Sequence, residues 1–400
     1  MADRATPRPC PPWGLTRYVA AATLARAADG GGVIAIVLVV TTSGAPSWLA
    51  GLLGASITAP HLLGPFIARR LDTAGDGRNI IALACLIHGA TLAAAVLLYP
   101  IVWPALTALL LFTSGLFGPF LTGGISSRLP AIAGPEQHAQ RRAQGWDVAT
   151  YGLGGTIGPT IVAIVSVWAS PTIAALVLAG GTFAAAILVR FLPYTSPLSA
   201  AADVPRPLRT LRIILTSGPL RRTLYLTTSV AASVAVLPIV AVSSTASLGE
   251  AAGTGAALTA AYGVGSLLGS VGVMARPLRG SADNLITYFA FTVAATLIVV
   301  LLVPNLAAAL PAYAAAGIAN SYLFAATLAA RSEYSPAEAR GQIFVWVGAL
   351  KITAGSAGTA MAGALVGAAV YLPTILAAIV TVTAASVSVF DRHISPGGKD

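Results

Sequence analysis

Long apolar segments, separated by short polar or Pro- and Gly-containing joints, make up most of the chain. There are about twelve such segments, each close to the roughly 20 residues with which a helix crosses the hydrocarbon core of a bilayer. Because they are continuously apolar and do not alternate with polar positions, they indicate spanning helices and not strands of a membrane barrel. The predicted spans run approximately from Arg17 to Val40, Trp48 to Arg69, Asn79 to Leu98, Val102 to Ser126, Gln144 to Trp168, Thr172 to Phe191, Thr223 to Ser243, Ala252 to Ala275, Asn284 to Val303, Leu306 to Ala329, Gly341 to Val366 and Tyr371 to Phe390.

The composition also indicates a protein that is surrounded largely by lipid. Of the 400 residues, 56% are hydrophobic and 9% are charged, whereas about a quarter of a soluble domain is charged. The net charge of +10 does not indicate a nucleic-acid partner, because the basic residues are scattered between spans without interleaved aromatic residues. Cys10 and Cys85 lie far apart and predict no disulfide framework. We therefore expect a multi-pass protein of the cell (plasma or inner) membrane, surrounded by lipids.

The basic residues also predict an orientation. If the N-terminus is cytoplasmic, all of the 23 basic residues except Arg26 and Lys351 fall into inside segments. Such a distribution follows the positive-inside rule. An even number of spans then places both termini in the cytoplasm.

The joint from Leu192 to Arg222 is the longest in the chain and is rich in Pro, Ser and Arg. It divides the spans into two groups of six, and similar segments, Arg142-Ala-Gln144 and Arg340-Gly-Gln342, open spans five and eleven. Internal duplication of spans is common in secondary transporters, whose substrate sites lie near the midplane between the repeats. The predicted organisation is a tail at 1–16, a helix bundle at 17–191, a cytoplasmic linker at 192–222, a second bundle at 223–390 and a tail at 391–400.

Four glycine-rich or charged stretches carry recognisable motifs. They are Ala68 to Arg78, which includes Asp72; Gly145, Gly154, Gly158 and Pro159 in span five; Tyr262 to Gly269 in span eight; and Ser335 to Gln342 before span eleven. Together they resemble the major facilitator superfamily, in particular its bacterial, exporter-like branch. The resemblance extends over nearly the whole chain. It implies an all-α integral membrane protein with twelve helices in two six-helix bundles related by a pseudo-two-fold axis.

The resemblance also implies roles in conformational gating. Asp72 and Arg78 would act in a latch of charges and helix ends that holds the halves together while the cavity opens outward. Gly154, Gly158 and Pro159 would bend span five and let it pack tightly. An ordinary kink of a spanning helix predicts the same structure at these three residues.

Arg26 and Asp29 place two charges near the middle of the first span. A charge at the centre of a spanning helix costs about 2.5 to 3.5 kcal/mol on insertion scales, so each needs a partner or an aqueous cavity. Three residues apart on a helix, the two face the same way and can neutralise each other. Either they form a structural pair, or they line a substrate or proton path. The following Gly30 to Gly32 permits close helix approach or local unwinding.

Lys351 is a second deep charge and requires a carboxylate, a neutral form or an anionic ligand. Asp29 or Asp147 could reach it across a central pathway. Asp147 is expected about 7.5 Å deep, counted from Arg142, where it could instead pair with that arginine. Tyr151, one turn further, could line the same cavity.

Three further polar residues lie inside predicted spans. His61 follows Pro60 and could titrate or donate a hydrogen bond. Asn320 could contact substrate or join helices. His88 is expected to serve packing. The sequence shows no phosphate loop and no spacing typical of metal ligands, so we expect neither an enzyme nor a cofactor or metal.

The sequence thus predicts a monomeric secondary transporter that alternates between inward-open and outward-open states around a small-molecule substrate. The main prediction is proton-coupled efflux of an apolar or amphiphilic molecule, such as a drug or secondary metabolite, with the proton gradient as driving force. Asp29 or Asp147 would exchange the proton. An importer or facilitator of a small anionic metabolite is the alternative, because Val162 and Ala163 stand where the exporter pattern has further glycines. A transporter-like sensor or scaffold without flux is the alternative of another class.

Overall fold

The computed structural model describes residues 13–194, 203–245, 247–248 and 254–394, and the regular structure in these ranges is helical. The long helices are α1 (Trp13–Thr42), α2 (Trp48–Thr73), α3 (Gly77–Leu98), α4 (Pro104–Ala133), α5 (Gln137–Trp168), α6 (Pro171–Arg190), α7 (Gly218–Ser243), α8 (Thr254–Ala275), α9 (Ala282–Leu302), α10 (Leu306–Tyr334), α11 (Arg340–Leu365) and α12 (Leu372–Ile394). A short amphipathic helix, the linker helix (Pro207–Thr216), precedes α7.

Within the described ranges, eleven helices are long and apolar enough to cross a membrane. The helix α10 occupies the position of the tenth predicted span but is not among these eleven. The predicted count of twelve spans and the cytoplasmic position of both termini stay predictions. We call the face of the bundle that carries the linker helix the linker side.

Several helices extend beyond the predicted spans. The first described residue of α1 is Trp13, before the predicted start of the span at Arg17, and α12 continues past Phe390 to Ile394. The helix α10 continues to Tyr334, which places Arg331, predicted in a loop, inside a helix. Charged residues can remain helical at such ends because they find partners there, whereas the prediction stopped where the apolar residues stop.

The irregular parts of two helices border the centre of the bundle. The helix α2 narrows to a 3₁₀ segment at Ala59–Leu63, and α4 contains a π segment at Phe120–Gly124, directly after Pro119. Proline removes a backbone donor and disturbs the hydrogen-bond ladder, which explains the local change of winding. In contrast, α1 continues as a helix through Gly30 to Gly32 without unwinding.

Glycines permit close approach of matching helix pairs in the two halves. A Cβ atom on Gly158 of α5 would lie 2.2 Å from the carbonyl oxygen of Ala27 in α1. A Cβ atom on Gly358 of α11 would lie 2.1 Å from the carbonyl oxygen of Ala232 in α7. Small residues allow such contact between backbones in membranes, where tight packing holds helices together.

The two halves meet over their linker-side portions. An apolar cluster between them contains Val148 of α5, Val273 of α8, Phe324 and Leu328 of α10 and Phe344 of α11. Closer to the linker side, Arg141 of α5 forms an ion pair of 2.8 Å with Glu333 of α10. These contacts close the linker side of the centre.

Candidate functional site

Three neighbouring cavities of ≈ 220, ≈ 190 and ≈ 180 Å³ share Phe324 and Lys351 in their walls. Residues of the second half alone line the first cavity, and residues of both halves line the other two. The second cavity also has Arg26 and Asp29 in its wall, so both halves contribute charged residues. Sites between helix bundles near the membrane midplane are typical substrate sites of secondary transporters. We refer to these neighbouring spaces as the central cavity.

Arg26 is held by residues of two other helices. Its Nη1 donates to Oδ1 of Asp147 at 2.8 Å and to the hydroxyl of Thr150 on α5, and its Nη2 donates to Oγ of Ser126 on α4 at 2.9 Å. The hydroxyl of Tyr18 donates to the same Oδ1 of Asp147 at 2.6 Å. Asp147 is fully buried. The Arg26 and Asp147 pair therefore joins α1 to α4 and α5 with both charges neutralised.

Asp29 has a different partner, His61 on the 3₁₀ segment of α2. Its Oδ1 lies 3.3 Å from Nε2 of His61, at ion-pair distance but without the alignment of a hydrogen bond. Nδ1 of His61 lies 3.0 Å from the carbonyl oxygen of Ile57, so this nitrogen must carry hydrogen and donate. Gly118 of α4 backs the pair, because a Cβ atom there would lie 2.2 Å from Nε2 of His61.

This contact favours a pair that holds one shared proton. With Nδ1 already protonated, Nε2 of a neutral imidazole offers only a lone pair. A lone pair facing an ionised carboxylate is repulsive, so the close approach is more favourable when one of the two groups carries a further proton. The pair is then either imidazolium and carboxylate or imidazole and carboxylic acid, and it has no net charge in either form. Loss of that proton leaves one negative charge in the wall of the cavity.

Lys351 and Arg331 bring two further cations to the cavity. Nζ of Lys351 lies 3.4 Å from the centre of the Phe324 ring and 5.1 Å from that of Tyr151. Arg331 is 1% exposed and donates to the backbone oxygen and the hydroxyl of Thr327, both at 3.2 Å. Within the described residues, neither cation has a carboxylate at ion-pair distance.

The remaining residues predicted for the pathway, Tyr151 and Asn320, lie at the cavity, and His88 has a separate contact. Tyr151 and Asn320 line the central cavity together with Lys351. The ring of Tyr151 also stacks against Arg26, whose Cζ lies 3.5 Å from its centre. His88, expected to serve packing, is buried in α3, and its Nδ1 lies 3.0 Å from the carbonyl oxygen of Ser114.

Of the predicted gating residues, Asp72 bridges the halves. Its two carboxylate oxygens accept from the backbone N–H groups of Gly341 and Gln342, each at 2.8 Å, at the start of α11. A carboxylate at a helix N-terminus satisfies free donors and interacts favourably with the helix dipole. Arg78 instead bonds within the first half, to Asp76 and to the carbonyl oxygen of Leu192. Its hydrogen bond to Asp76 lowers the pKa of that carboxyl to about 2.

The glycines predicted for span five lie against α1. A Cβ atom on Gly154 would come within 2.6 Å of Cβ of Arg26, so this glycine makes room for the charged pair. Gly158 contacts the backbone of α1, as described above, and α5 continues as a helix through Pro159. These residues thus set the distance between the two helices that carry Arg26 and Asp147.

Two pairings that the sequence left open are not formed. Arg26 and Asp29 do not neutralise each other, because Arg26 points to α4 and α5 and Asp29 points to α2. Asp147 does not pair with Arg142, because α5 begins at Gln137 and Asp147 lies about 15 Å along it, beside Arg26. Spacing along one helix gives the face of a side chain, but the neighbouring helix decides its partner.

The sequence interpretation also missed Arg331 and Phe324. Arg331 follows Phe324 by about two turns and Thr327 by about one turn of the same helix, so all three share a face. The apolar run ends at Ala330, so no clear periodic signal in the sequence indicates that α10 continues through Arg331. The partnership of Asp29 with His61 had no signal either, since the two residues belong to different helices.

Several solved structures of other proteins have a fold similar to that of this chain. No family model matches the chain, and no curated protein matches it. The human organic anion transporter MFSD10 (TETRAN) is 15% identical, with a TM-score of 0.73 over 94% of this chain and 100% of that one. A bacterial homologue of the iron transporter ferroportin, in an outward-facing state with soaked iron, is 12% identical, with a TM-score of 0.72 over 94% and 98%.

A third similar structure is that of the E. coli fucose:proton symporter FucP, in a single-residue variant. It is 14% identical, with a TM-score of 0.70 over 95% of this chain and 98% of that chain. All three of these proteins are transporters. The predicted all-α membrane fold class is confirmed by these similarities and by the described helices. The chain has the same fold as these three transporters.

Proposed function

We propose that this protein is a secondary active transporter that moves a small molecule through the central cavity by alternating access. The cavity lies between two helix bundles, and contacts such as the Arg141 and Glu333 ion pair close it on the linker side. Rocking of the halves would break these contacts and expose the same residues to the linker side. The closed linker side and the similarity to an outward-facing structure support an outward-facing state for the conformation described.

Proton coupling through Asp29 and His61 is the central part of this proposal. The observation that carries it is the 3.3 Å approach of Asp29 Oδ1 to His61 Nε2, with Nδ1 of His61 already engaged by a carbonyl oxygen. Asp147 is the weaker candidate, because Arg26 and Tyr18 both bind its Oδ1 and it is fully buried. Asp29 lines the cavity, where water can deliver and remove the proton.

Efflux of an amphiphilic molecule, as in the exporter-like branch, is the proposed direction and substrate. The apolar wall of the cavity, with Val230, Val234, Leu323 and Ile352, supports an apolar body for the substrate. Uptake of an anionic metabolite is the second candidate, and the observation that favours it is the pair of cations Lys351 and Arg331. Similarity in fold to an organic anion transporter and to a proton symporter supports considering both.

The test uses purified protein in vesicles of known orientation, with an imposed pH gradient and a panel of labelled amphiphilic anions, cations and neutral molecules. We expect Asp29→Asn and His61→Gln to lower gradient-driven accumulation at least about tenfold, because no proton is exchanged. Exchange of labelled for unlabelled substrate across the membrane should persist, since it needs no proton movement. The direction of accumulation relative to the gradient separates efflux from uptake.

His88→Gln is the matched control, because His88 is also buried but contacts Ser114 and not a carboxylate. It should accumulate substrate like the wild type. Undiminished gradient-driven accumulation by Asp29→Asn would exclude this residue as the proton carrier. A sensor or scaffold would instead show no flux and no change in the accessibility of cysteines placed on the two sides of the cavity.

A further inference from the structure

We propose that Lys351 and Arg331 bind the anionic group of an organic anion, and that this anion occupies the central cavity together with the proton of Asp29 and His61. The inference rests on the proposed function in one respect, that the central cavity is the transport site. The bound group is a carboxylate or phosphate on a body with an apolar part.

Lys351 lacks the carboxylate partner that would neutralise a buried ammonium group, as far as the described residues show. Its Nζ lies over the Phe324 ring at 3.4 Å, and no carboxylate among the described residues lies within ion-pair distance. Contact with an aromatic face stabilises a cation less than a carboxylate would at the same depth. Lys351 lines each of the adjoining spaces of the cavity, so a ligand can reach it.

Arg331 on α10 likewise has no carboxylate partner among the described residues. Its hydrogen bonds go to Thr327, a neutral residue, and its Cζ lies 5.8 Å from the centre of the Phe324 ring. The two cations therefore both lie near the Phe324 ring, in the wall of one cavity. Guanidinium and ammonium together suit a carboxylate or phosphate, because the guanidinium supplies directed donors and the ammonium a compact charge.

The charges around the cavity do not balance without a ligand. Among the described residues, the carboxylates beside the cavity are Asp29 and Asp147, and each is already engaged, with His61 and Arg26 respectively. The protonated Asp29 and His61 pair has no net charge, and Arg26 and Asp147 cancel. Lys351 and Arg331 remain as uncompensated positive charges, which an anionic substrate would neutralise.

Proton and anion should favour each other's binding. Loss of the shared proton from Asp29 and His61 adds a negative charge that repels an anion in the same cavity. Linkage makes this effect reciprocal, so the bound anion also favours the protonated pair. The other charged or titratable groups around the pair are Arg26 on α1, His88 on α3, Tyr151 and Asp147 on α5, Arg331 on α10 and Lys351 on α11. Cooperative binding of this kind favours movement of proton and anion in the same direction, which corresponds to the second candidate for the proposed function, uptake, and not to efflux.

The experiment measures binding and does not depend on transport. Thermal unfolding of the purified full-length protein is followed with benzoate, octanoate or inorganic phosphate, and with benzamide and octanamide as uncharged analogues. We expect at least one anion to stabilise the wild type while its amide does not. Lys351→Met and Arg331→Gln should weaken that anion at least about tenfold, and Lys351→Arg should retain it. Benzoate or octanoate as the stronger ligand assigns a carboxylate, and phosphate as the stronger ligand assigns a phosphate.

Arg276→Gln is the matched control, because Arg276 is an exposed cation that does not line the cavity, and its loss should leave anion binding within about threefold. Anion affinity should rise as the pH falls, and this dependence should disappear in Asp29→Asn and persist in His88→Gln. Equal binding of anion and amide, no stabilisation by any anion, or unchanged binding in Lys351→Met would overturn the proposal. Those outcomes leave the flux result for Asp29→Asn unaffected, so the two proposals fail separately.

Discussion

At the scale of single residues, Arg26 is the charge that ties the first half together around the cavity. Its guanidinium bonds to Asp147, Thr150 and Ser126, which lie on two other helices. Because Asp147 is fully buried, it depends on this cation. Removing one partner of a buried ion pair leaves the other charge uncompensated, which costs more than removing both.

We expect Arg26→Met to lower the free energy of unfolding by about 3 to 5 kcal/mol. The double variant Arg26→Met, Asp147→Asn should recover most of this loss, because no charge then remains unpaired. Denaturant unfolding of the purified protein in detergent measures both. A double variant as unstable as the single one would show that packing of the arginine, and not its charge, is what matters.

The charged residues of the site could be predicted from the sequence, but their partners could not. Arg26, Asp29 and Lys351 could be recognised from the sequence because a charge inside an apolar segment stands out. Their partners could not, since the pairing of Asp29 with His61 depends on how α1 and α2 are rotated about their axes. A pattern along one helix contains no information about that rotation.

At the scale of elements, the contact between α1 and α5 sets the geometry of the charged pair. Gly158 allows the backbones to touch, and Gly154 makes room for Arg26. The positions of these glycines were recognisable in the sequence, and so were the long helices, because apolar length is a strong signal. The ends of α1, α10 and α12 were not, since each continues beyond the apolar residues.

We expect Gly158→Ala to destabilise the protein by about 1 to 3 kcal/mol, as overpacking does. The new Cβ atom would lie 2.2 Å from the Ala27 carbonyl oxygen, a backbone atom that cannot move without shifting α1. Gly155→Ala is the matched control on the same helix, because no atom lies within 4 Å of its new Cβ. Thermal unfolding measures both variants. Equal behaviour of the two would mean that α1 and α5 can separate at no cost.

At the scale of the whole molecule, hydrogen bonds and an ion pair between the halves hold the linker side closed. Asp72 accepts from two N–H groups at the start of α11, and Arg141 pairs with Glu333 of α10. In the proposed alternating-access cycle these bonds break when the linker side opens, so they would contribute to the equilibrium between states and not to substrate recognition. The motif around Asp72 was recognisable in the sequence, but the donors that its carboxylate binds, backbone groups of the other half, were not.

Asp72→Ala should therefore shift the population toward the state that is open on the linker side. Hydrogen bonds to a charged group are worth about 1.5 to 3 kcal/mol each, so the shift should exceed tenfold. Spin labels attached at the exposed Gly75 and Arg279, in a variant without the native cysteines, report the distance between the halves. We expect a longer distance to appear in Asp72→Ala and not in Asp76→Ala, because Asp76 bonds to Arg78 and Arg190 within one half. Since both variants lose one carboxylate on the same face, identical distance distributions would show that net charge, and not the contact with α11, holds the linker side closed.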